Sequence, residues 1–247
     1  MLATSTVISL TILIMAAALL YASVGHAGAS GYLAAMALFG IAPAVMKPTA
    51  LALNILVAAI ATVKFYRAGC FSWSIFWPFA LTSVPFAFIG GNLSLPGSIY
   101  KPIVGAVLLY ASYRLFRASQ TAIPTTTKPV PFGLALIAGG GIGLLSGLTG
   151  VGGGIFLSPL LLFMGWAETR QTSGVAAAFI LVNSIAGLLG HLSSVATLPS
   201  ATPIWAVAAV IGGWVGAEYG SRRLGNVHIR RLLSVVLVIA GVKMILT

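Results

Sequence analysis

Long apolar runs separated by short polar breaks follow one another along the chain from Thr6 to Leu246. Within each run the apolar residues are continuous rather than alternating, which reads as helix and not as strand. The pattern predicts ten segments: Thr6 to Val24, Ala29 to Ile41, Pro48 to Val63, Ser74 to Gly91 and Ile99 to Leu115, then Phe132 to Leu148, Ile155 to Trp166, Thr172 to Leu189, Pro203 to Gly220 and Arg230 to Ile245. A Pro/Thr linker, Ala118 to Pro131, parts the two sets of five. The second and seventh segments are short. At the rise of a helix they reach about 20 Å, against a hydrocarbon core of about 30 Å.

In lipid every backbone N–H and C=O must be satisfied within the chain, so the runs are expected to be membrane helices of an all-α polytopic protein. Composition agrees: 59% of residues are hydrophobic, 6% are charged, and the mean hydropathy is +1.08. No polar stretch is long enough for a soluble catalytic domain. The first segment is too long, and its flank too neutral, for a good signal peptide, so it is read as a membrane helix. The net charge of +11 sits singly or in pairs between apolar runs, the mark of positive-inside topology rather than of a nucleic-acid partner. Cys70 is alone, which excludes an intramolecular disulfide, and it lies beside Lys64 and Arg67 on the expected cytoplasmic side.

The order long, short, long, long, long occurs twice. At an offset of 125 residues Gly25 falls on Gly150, Gly28 on Gly153, Gly40 on Gly165, Pro78 on Pro203 and Gly91 on Gly216. Ile55-Leu56-Val57 falls on Ile180-Leu181-Val182. The chain is therefore read as a duplication, with a first membrane repeat over 1–117, the linker over 118–131 and a second repeat over 132–247. With five crossings per half and the N-terminus outside, Lys64, Arg67, Arg114, Arg117, Lys128, Arg170, Arg222, Arg223, Arg230 and Arg231 face the cytoplasm, and only Lys47, Lys101 and Lys243 face out. Re-entrant short segments would erase this bias. The expected architecture is two inverted five-segment repeats in the cytoplasmic (inner) membrane.

Each short segment follows a glycine-rich break, Val24-Gly25-His26-Ala27-Gly28-Ala29-Ser30-Gly31 in the first half and Thr149-Gly150-Val151-Gly152-Gly153-Gly154 in the second. Glycine costs a helix interior about 1 kcal/mol against alanine, so the helix is expected to unwind there. Unwound backbone at membrane depth is tolerated where it is buried in protein or lines a cavity, and a helix starting at such a break aims free N–H groups and its positive dipole end inward. That favours a small anionic solute. The scattered glycines, Gly139 to Gly143 and Gly212-Gly213, read instead as close helix packing.

The run Gly150-Val151-Gly152-Gly153-Gly154-Ile155-Phe156-Leu157-Ser158-Pro159-Leu160-Leu161 resembles the repeated signature of the sulfite exporter TauE/SafE family of membrane transporters. The first half departs from it, with His26-Ala27-Gly28-Ala29-Ser30 in place of the glycine run and Ala34 in place of Pro159. The resemblance implies movement of small sulfur-containing anions, sulfite or organosulfonates, without ATP.

Candidate solute-binding residues are Gly25, His26, Gly28, Ser30 and Asn54 from the first half, with Gly150, Gly152, Gly153, Gly154 and Asn183 from the second. His26 can bind an anion or carry a proton, since imidazole titrates near neutral pH. The amides of Asn54 and Asn183 suit solute oxygens, or a bond to a neighbouring helix. Lys47 and Arg170, each just before a long segment, are placed as guards of two anion vestibules or as solvated loop charges. Glu168 is assigned to a loop with Arg170, and Glu218 stands in helical reach of Arg222. No carboxylate falls at mid-membrane, which disfavours sodium or metal transport. No cofactor, metal site or nucleotide motif is implied, and a homo-oligomer is compatible with the composition.

Two other classes fit parts of the pattern. Gly28-Ala29-Ser30-Gly31 resembles the nucleophile signature of rhomboid proteases, with Ser30 as nucleophile and His191 as base. A non-transporting membrane scaffold would need no glycine breaks at matching depths. The reading carried forward is a transporter and not an enzyme.

Overall fold

The computed structural model describes residues 3–93, 95–117, 127–192 and 198–222, with 238, 241, 242, 245 and 246. Among them the chain is helical without strands, in the order α1 (Thr4–Ala22), α2 (Ala29–Leu38), α3 (Pro43–Arg67), α4 (Trp73–Asn92), α5 (Gly97–Arg117), α6 (Phe132–Thr149), α7 (Gly154–Phe163), α8 (Thr169–Leu192) and α9 (Thr202–Arg222). By length and composition α1, α3, α4, α6 and α8 can each cross a membrane. The tenth expected segment lies almost wholly outside the described residues, as do Arg223, Arg230, Arg231, Lys243 and most of the linker.

The short segments are 10 residues each and stop three residues before their expected ends. Gly40 and Gly165 turn the chain there with φ of 69° and 67°. The same bond closes both ends: Ile41 N–H donates to Met36 O, and Trp166 N–H donates to Leu161 O. Every residue of α2 from Ala29 to Ala37 is buried. The bounds of α2 and α7 differ by the offset of 125, and so do those of α3 and α8 to within one residue.

Helix directions follow from which residues meet. Gly212, Gly216 and Gly220 of α9 lie against the carbonyls of Met15, Leu19 and Ser23, in ascending order, so α1 and α9 run parallel. Val57 meets Gly213 and Lys64 meets Glu218, so α3 runs with them. On the other side Gly139, Gly143 and Gly147 of α6 lie against the carbonyls of Phe79, Ser83 and Ala87 of α4. Ser83 bonds Asn183, Ala87 faces Gly187, and Gly91 bonds His191, so α8 runs with α4 and α6. Between the two sets Asn54 meets Ser184 and Leu51 meets Gly187, an antiparallel crossing of α3 and α8. Since α1 and α3 point the same way, the first break and α2 carry the chain back between them. The second break and α7 do the same between α6 and α8.

The helix pairs thus cross between halves. α1 packs on α9 and α6 on α4, while α3 packs on α8 at the centre. Exchanging each helix for its partner at the 125-residue offset leaves these pairings unchanged. Lipid tails are as apolar as leucine, so such pairs are held by close backbone approach, which glycine permits. A Cβ on Gly143 would stand 2.2 Å from Ser83 O, whereas one on Gly141, two residues away, would meet nothing within 4 Å.

This contrast gives a test by thermal unfolding in detergent. Gly143→Ala forces α6 off α4 and should destabilise by about 1–3 kcal/mol. Gly141→Ala should leave stability unchanged or raise it by about 0.5–1 kcal/mol through helix propensity.

Candidate functional site

Both breaks are built the same way. α1 ends at Ala22, Gly25 takes φ 77°, and His26 N–H donates back to Tyr21 O at 2.9 Å. α6 ends at Thr149 with Gly150 at φ 80°, whose N–H donates to Ser146 O at 2.9 Å. The following short helices start from left-handed N-caps, Gly28 at φ 105° and Gly153 at φ 81°. These values bar side chains at little steric tolerance: a Cβ on Gly28 would strike the Tyr32 ring, and one on Gly153 would press on Phe179 and Ile142. Neither cap has a side-chain hydrogen bond. The first helical bond in α2 comes only at Tyr32 N–H to Gly28 O, so the N–H groups of Ala29, Ser30 and Gly31 precede the ladder.

The two breaks share one narrow recess. Tyr21, His26, Ala27, Gly28, Ala29 and Ser30 line it from the first half, and Val151, Ile155 and Ile180 line it from the second. His26 joins the halves. Its Nδ1 lies 3.2 Å from Val24 O in its own break, and its Nε2 lies 3.2 Å from both Gly154 O and Ser158 Oγ in the first turn of α7. Ser30 donates its hydroxyl to the Tyr21 phenol oxygen at 2.7 Å, which leaves the phenol its own proton to give. Tyr32 donates to Ala27 O at 2.5 Å and fixes the loop between Gly25 and Gly28.

The remaining candidates take structural posts around this recess. Asn54, fully buried on α3, donates to Val151 O and to Ser184 Oγ, both at 3.3 Å, and backs Gly152. Asn183 uses both ends of its amide away from the recess: Oδ1 accepts from Ser83 at 2.6 Å, and Nδ2 donates to Phe179 O at 2.8 Å. Lys47 is no loop charge. α3 starts five residues earlier than its apolar run, which puts Lys47 inside the helix, 4% exposed, with its ammonium donating to Gly90 O, Gly91 O and Leu93 O at the end of α4. The cation completes the C-terminal carbonyls and the negative dipole end of α4. Arg170 falls in the first turn of α8, exposed, and donates to Ser221 O near the end of α9 at 3.3 Å. Each expected vestibule cation thus caps a helix of its own half. Glu218 pairs with Arg222 at 2.6 Å as its spacing predicts, and also with Lys64, whose ammonium sits 4.1 Å above the Trp214 ring.

Ser30 and His191 form no dyad. The serine is bonded to Tyr21, and the histidine bonds the backbone of Gly91 at the end of α4, beside Lys47. Sequence reasoning missed Tyr21 and Ser158 at the recess. Both carried a signal in their spacing: Tyr21 stands four residues before Gly25, and Ser158 four after Gly154, which sets each on the helix face next to its break.

Among the described residues the chain is a helical bundle with five helices able to cross a membrane and two glycine breaks beside one recess, the architecture of a multi-pass membrane protein. The profile of the sulfite exporter TauE/SafE family matches residues 10–244, and the chain belongs to that family. It is 43% identical over 241 residues to the "Probable membrane transporter protein y4hK" of Sinorhizobium fredii, covering 96% of this chain and 98% of that one. It is 25% identical over 107 residues to the "Probable membrane transporter protein YunE" of Bacillus subtilis, covering 42% of this chain and 38% of that one. No solved structure matches significantly.

The caps differ in weight, and substitution measures it. Lys47→Met removes the ammonium that Gly90 O, Gly91 O and Leu93 O share at the end of α4 and should lower stability by about 1–3 kcal/mol. Arg170→Gln, at an exposed site, should change it by less than about 0.5 kcal/mol. The unfolding midpoints of the two variants in detergent check the order.

Proposed function

We propose that the protein is a secondary transporter or facilitator that moves a small sulfur-containing anion, sulfite or an organosulfonate, across the cytoplasmic membrane. The observation that carries the reading is the convergence of two glycine-capped helix starts on one recess. Positive dipole ends and uncommitted N–H groups attract an anion there. The lining residues bring phenol, hydroxyl and imidazole groups and no carboxylate, which suits an anion better than a metal ion or sodium. The family's name points to sulfite.

On this reading the chain is two inverted repeats, 1–117 and 132–247, joined by the linker over 118–131, with the N-terminus outside. The opposed directions of α1 with α3 and of α6 with α8, and the matching bounds of α2 and α7, support it. His26, Gly28 and Ser30 face the solute from one repeat and Val151 and Ile155 from the other, while Gly25, Gly150, Gly152, Gly153 and Gly154 shape the breaks behind this lining. Asn54 holds the second break in shape. Rocking of one repeat against the other then opens the recess to each side in turn.

Uptake of labelled sulfite, sulfoacetate, thiosulfate and sulfate into proteoliposomes tests the reading, with Gly153→Val beside the wild type. Flux of at least one anion, abolished by the substitution, is the expected result. Absence of flux for all four, under a proton gradient of either sign, would move the assignment to another solute or to a scaffold.

A further inference from the structure

The contacts of His26 carry a consequence for coupling. A neutral imidazole has one N–H and one lone pair. Here a carbonyl oxygen stands 3.2 Å from each ring nitrogen, Val24 O at Nδ1 and Gly154 O at Nε2. Carbonyls only accept, so a neutral ring sets one lone pair against a carbonyl oxygen, which the Ser158 hydroxyl beside Nε2 offsets in the Nδ1–H tautomer. The imidazolium, a donor at both nitrogens, satisfies both. We infer that His26 carries the coupling proton of the transport cycle: the anion binds together with a protonated His26, and the two leave the site together. This rests on the anion reading above and assigns its coupling ion.

Ser158 makes the exchange reversible. Its hydroxyl, 3.2 Å from Nε2, both donates and accepts. With the ring neutral, Nδ1–H donates to Val24 O and the Ser158 hydroxyl donates to the Nε2 lone pair. On loading, that lone pair takes a proton from water to form an N–H bond, the hydroxyl turns to accept, and Nε2–H also reaches Gly154 O. On unloading, the proton returns to water on the other side. Ser158 is a positioning residue in this scheme. The anion supplies the countercharge that the recess lacks: two helix N-termini and an imidazolium place only positive charge around it.

Groups from four helices surround His26. α1 offers Tyr21, with its ring 6.5 Å away in an edge contact, and α2 offers Tyr32, bonded to Ala27 O. Both phenols are neutral in the range where imidazole titrates. α7 offers Ser158, and α8 lines the recess with Ile180. The charged groups at the start of α8, whose Ser173 backs Gly25, are Glu168, exposed, and Arg170, engaged with Ser221 O.

Sulfoacetate is the probe, because its sulfonate stays ionised and its carboxylate titrates at about pH 4, so neither takes up a proton between about pH 6 and 8. Three measurements on the full-length protein decide. Exchange of labelled for unlabelled sulfoacetate across proteoliposomes, with no proton gradient, reports binding and movement alone. Net accumulation driven by an imposed inward proton gradient, with alkalinisation outside, reports coupling. Binding heats in buffers of different ionisation enthalpy report protons taken up, expected to be a net uptake on anion binding that shrinks as the pH is lowered. His26→Gln keeps a donor and an acceptor without titrating; it should bind sulfoacetate more weakly, and at concentrations that saturate it should take up no proton and show no proton-driven accumulation. Ser158→Ala should keep proton uptake and shift its pH midpoint. Exchange in the wild type without accumulation or proton uptake overturns the coupling and leaves the anion reading standing. Proton uptake that persists in folded His26→Gln overturns it as well. Absence of exchange for sulfoacetate and for the three other anions of the uptake assay removes the anion reading and the coupling with it.

Discussion

The constraint behind this structure is that backbone groups released in lipid must find partners inside the chain. Two unwound breaks and several buried helix ends release many carbonyls, and the scarce polar side chains are spent on them. Lys47 takes three at the end of α4, Asn54 takes Val151 O, Tyr32 takes Ala27 O, and Tyr100 reaches Thr149 O at 3.2 Å. An unsatisfied carbonyl here costs about 1–3 kcal/mol, more than the net gain from a typical hydrogen bond. That inequality explains a buried ammonium within a membrane helix better than any role in guiding solute does.

Carbonyl satisfaction alone would not bring the halves together. Close approach of backbone does that, through glycines of α9 on α1 and of α6 on α4. Because both pairings join helices of different halves, neither half owns its packing surface. The central crossing of α3 and α8 brings the breaks towards one another: Asn54 on α3 holds the second break at Val151, and Ser173 on α8 backs Gly25 in the first. A shift between α3 and α8 therefore moves both breaks at once, which is the mechanical requirement of the proposed cycle.

The helices and breaks were legible because glycine and hydropathy act locally. The start of α2 at Ala29 matches the sequence reading to the residue, and the N-cap glycines Gly28 and Gly153 fall in the two breaks read from the sequence, whereas Gly139-Gly140-Gly141 continues inside α6 as packing glycine. The start of α3 was not legible. Lys47 reads as a polar stop, but the helix runs through it because the carbonyls of α4, more than 40 residues away, accept its charge. Asn183 shows the same limit: an amide at mid-segment looks available to solute until Ser83, from another helix, occupies it. The pairings of α1 with α9 and of α6 with α4 are also long-range, and no window of sequence contains both partners.

Charge scarcity closes the argument about selectivity. Lys47, Arg170, Lys64 and Arg222 each engage a carbonyl or Glu218, and among the described residues no fixed cation lines the recess. An anion held there meets dipoles and hydroxyls, which bind more weakly than a guanidinium and release more readily. That is suited to a carrier, whose solute must leave as surely as it arrives. A permanent lysine at the same depth would trap the anion and remain as a buried charge once it left. An imidazole that gains its charge with the solute and loses it afterwards avoids both costs, and His26, with Val24 O and Gly154 O at its two nitrogens, occupies the position from which both breaks can sense it.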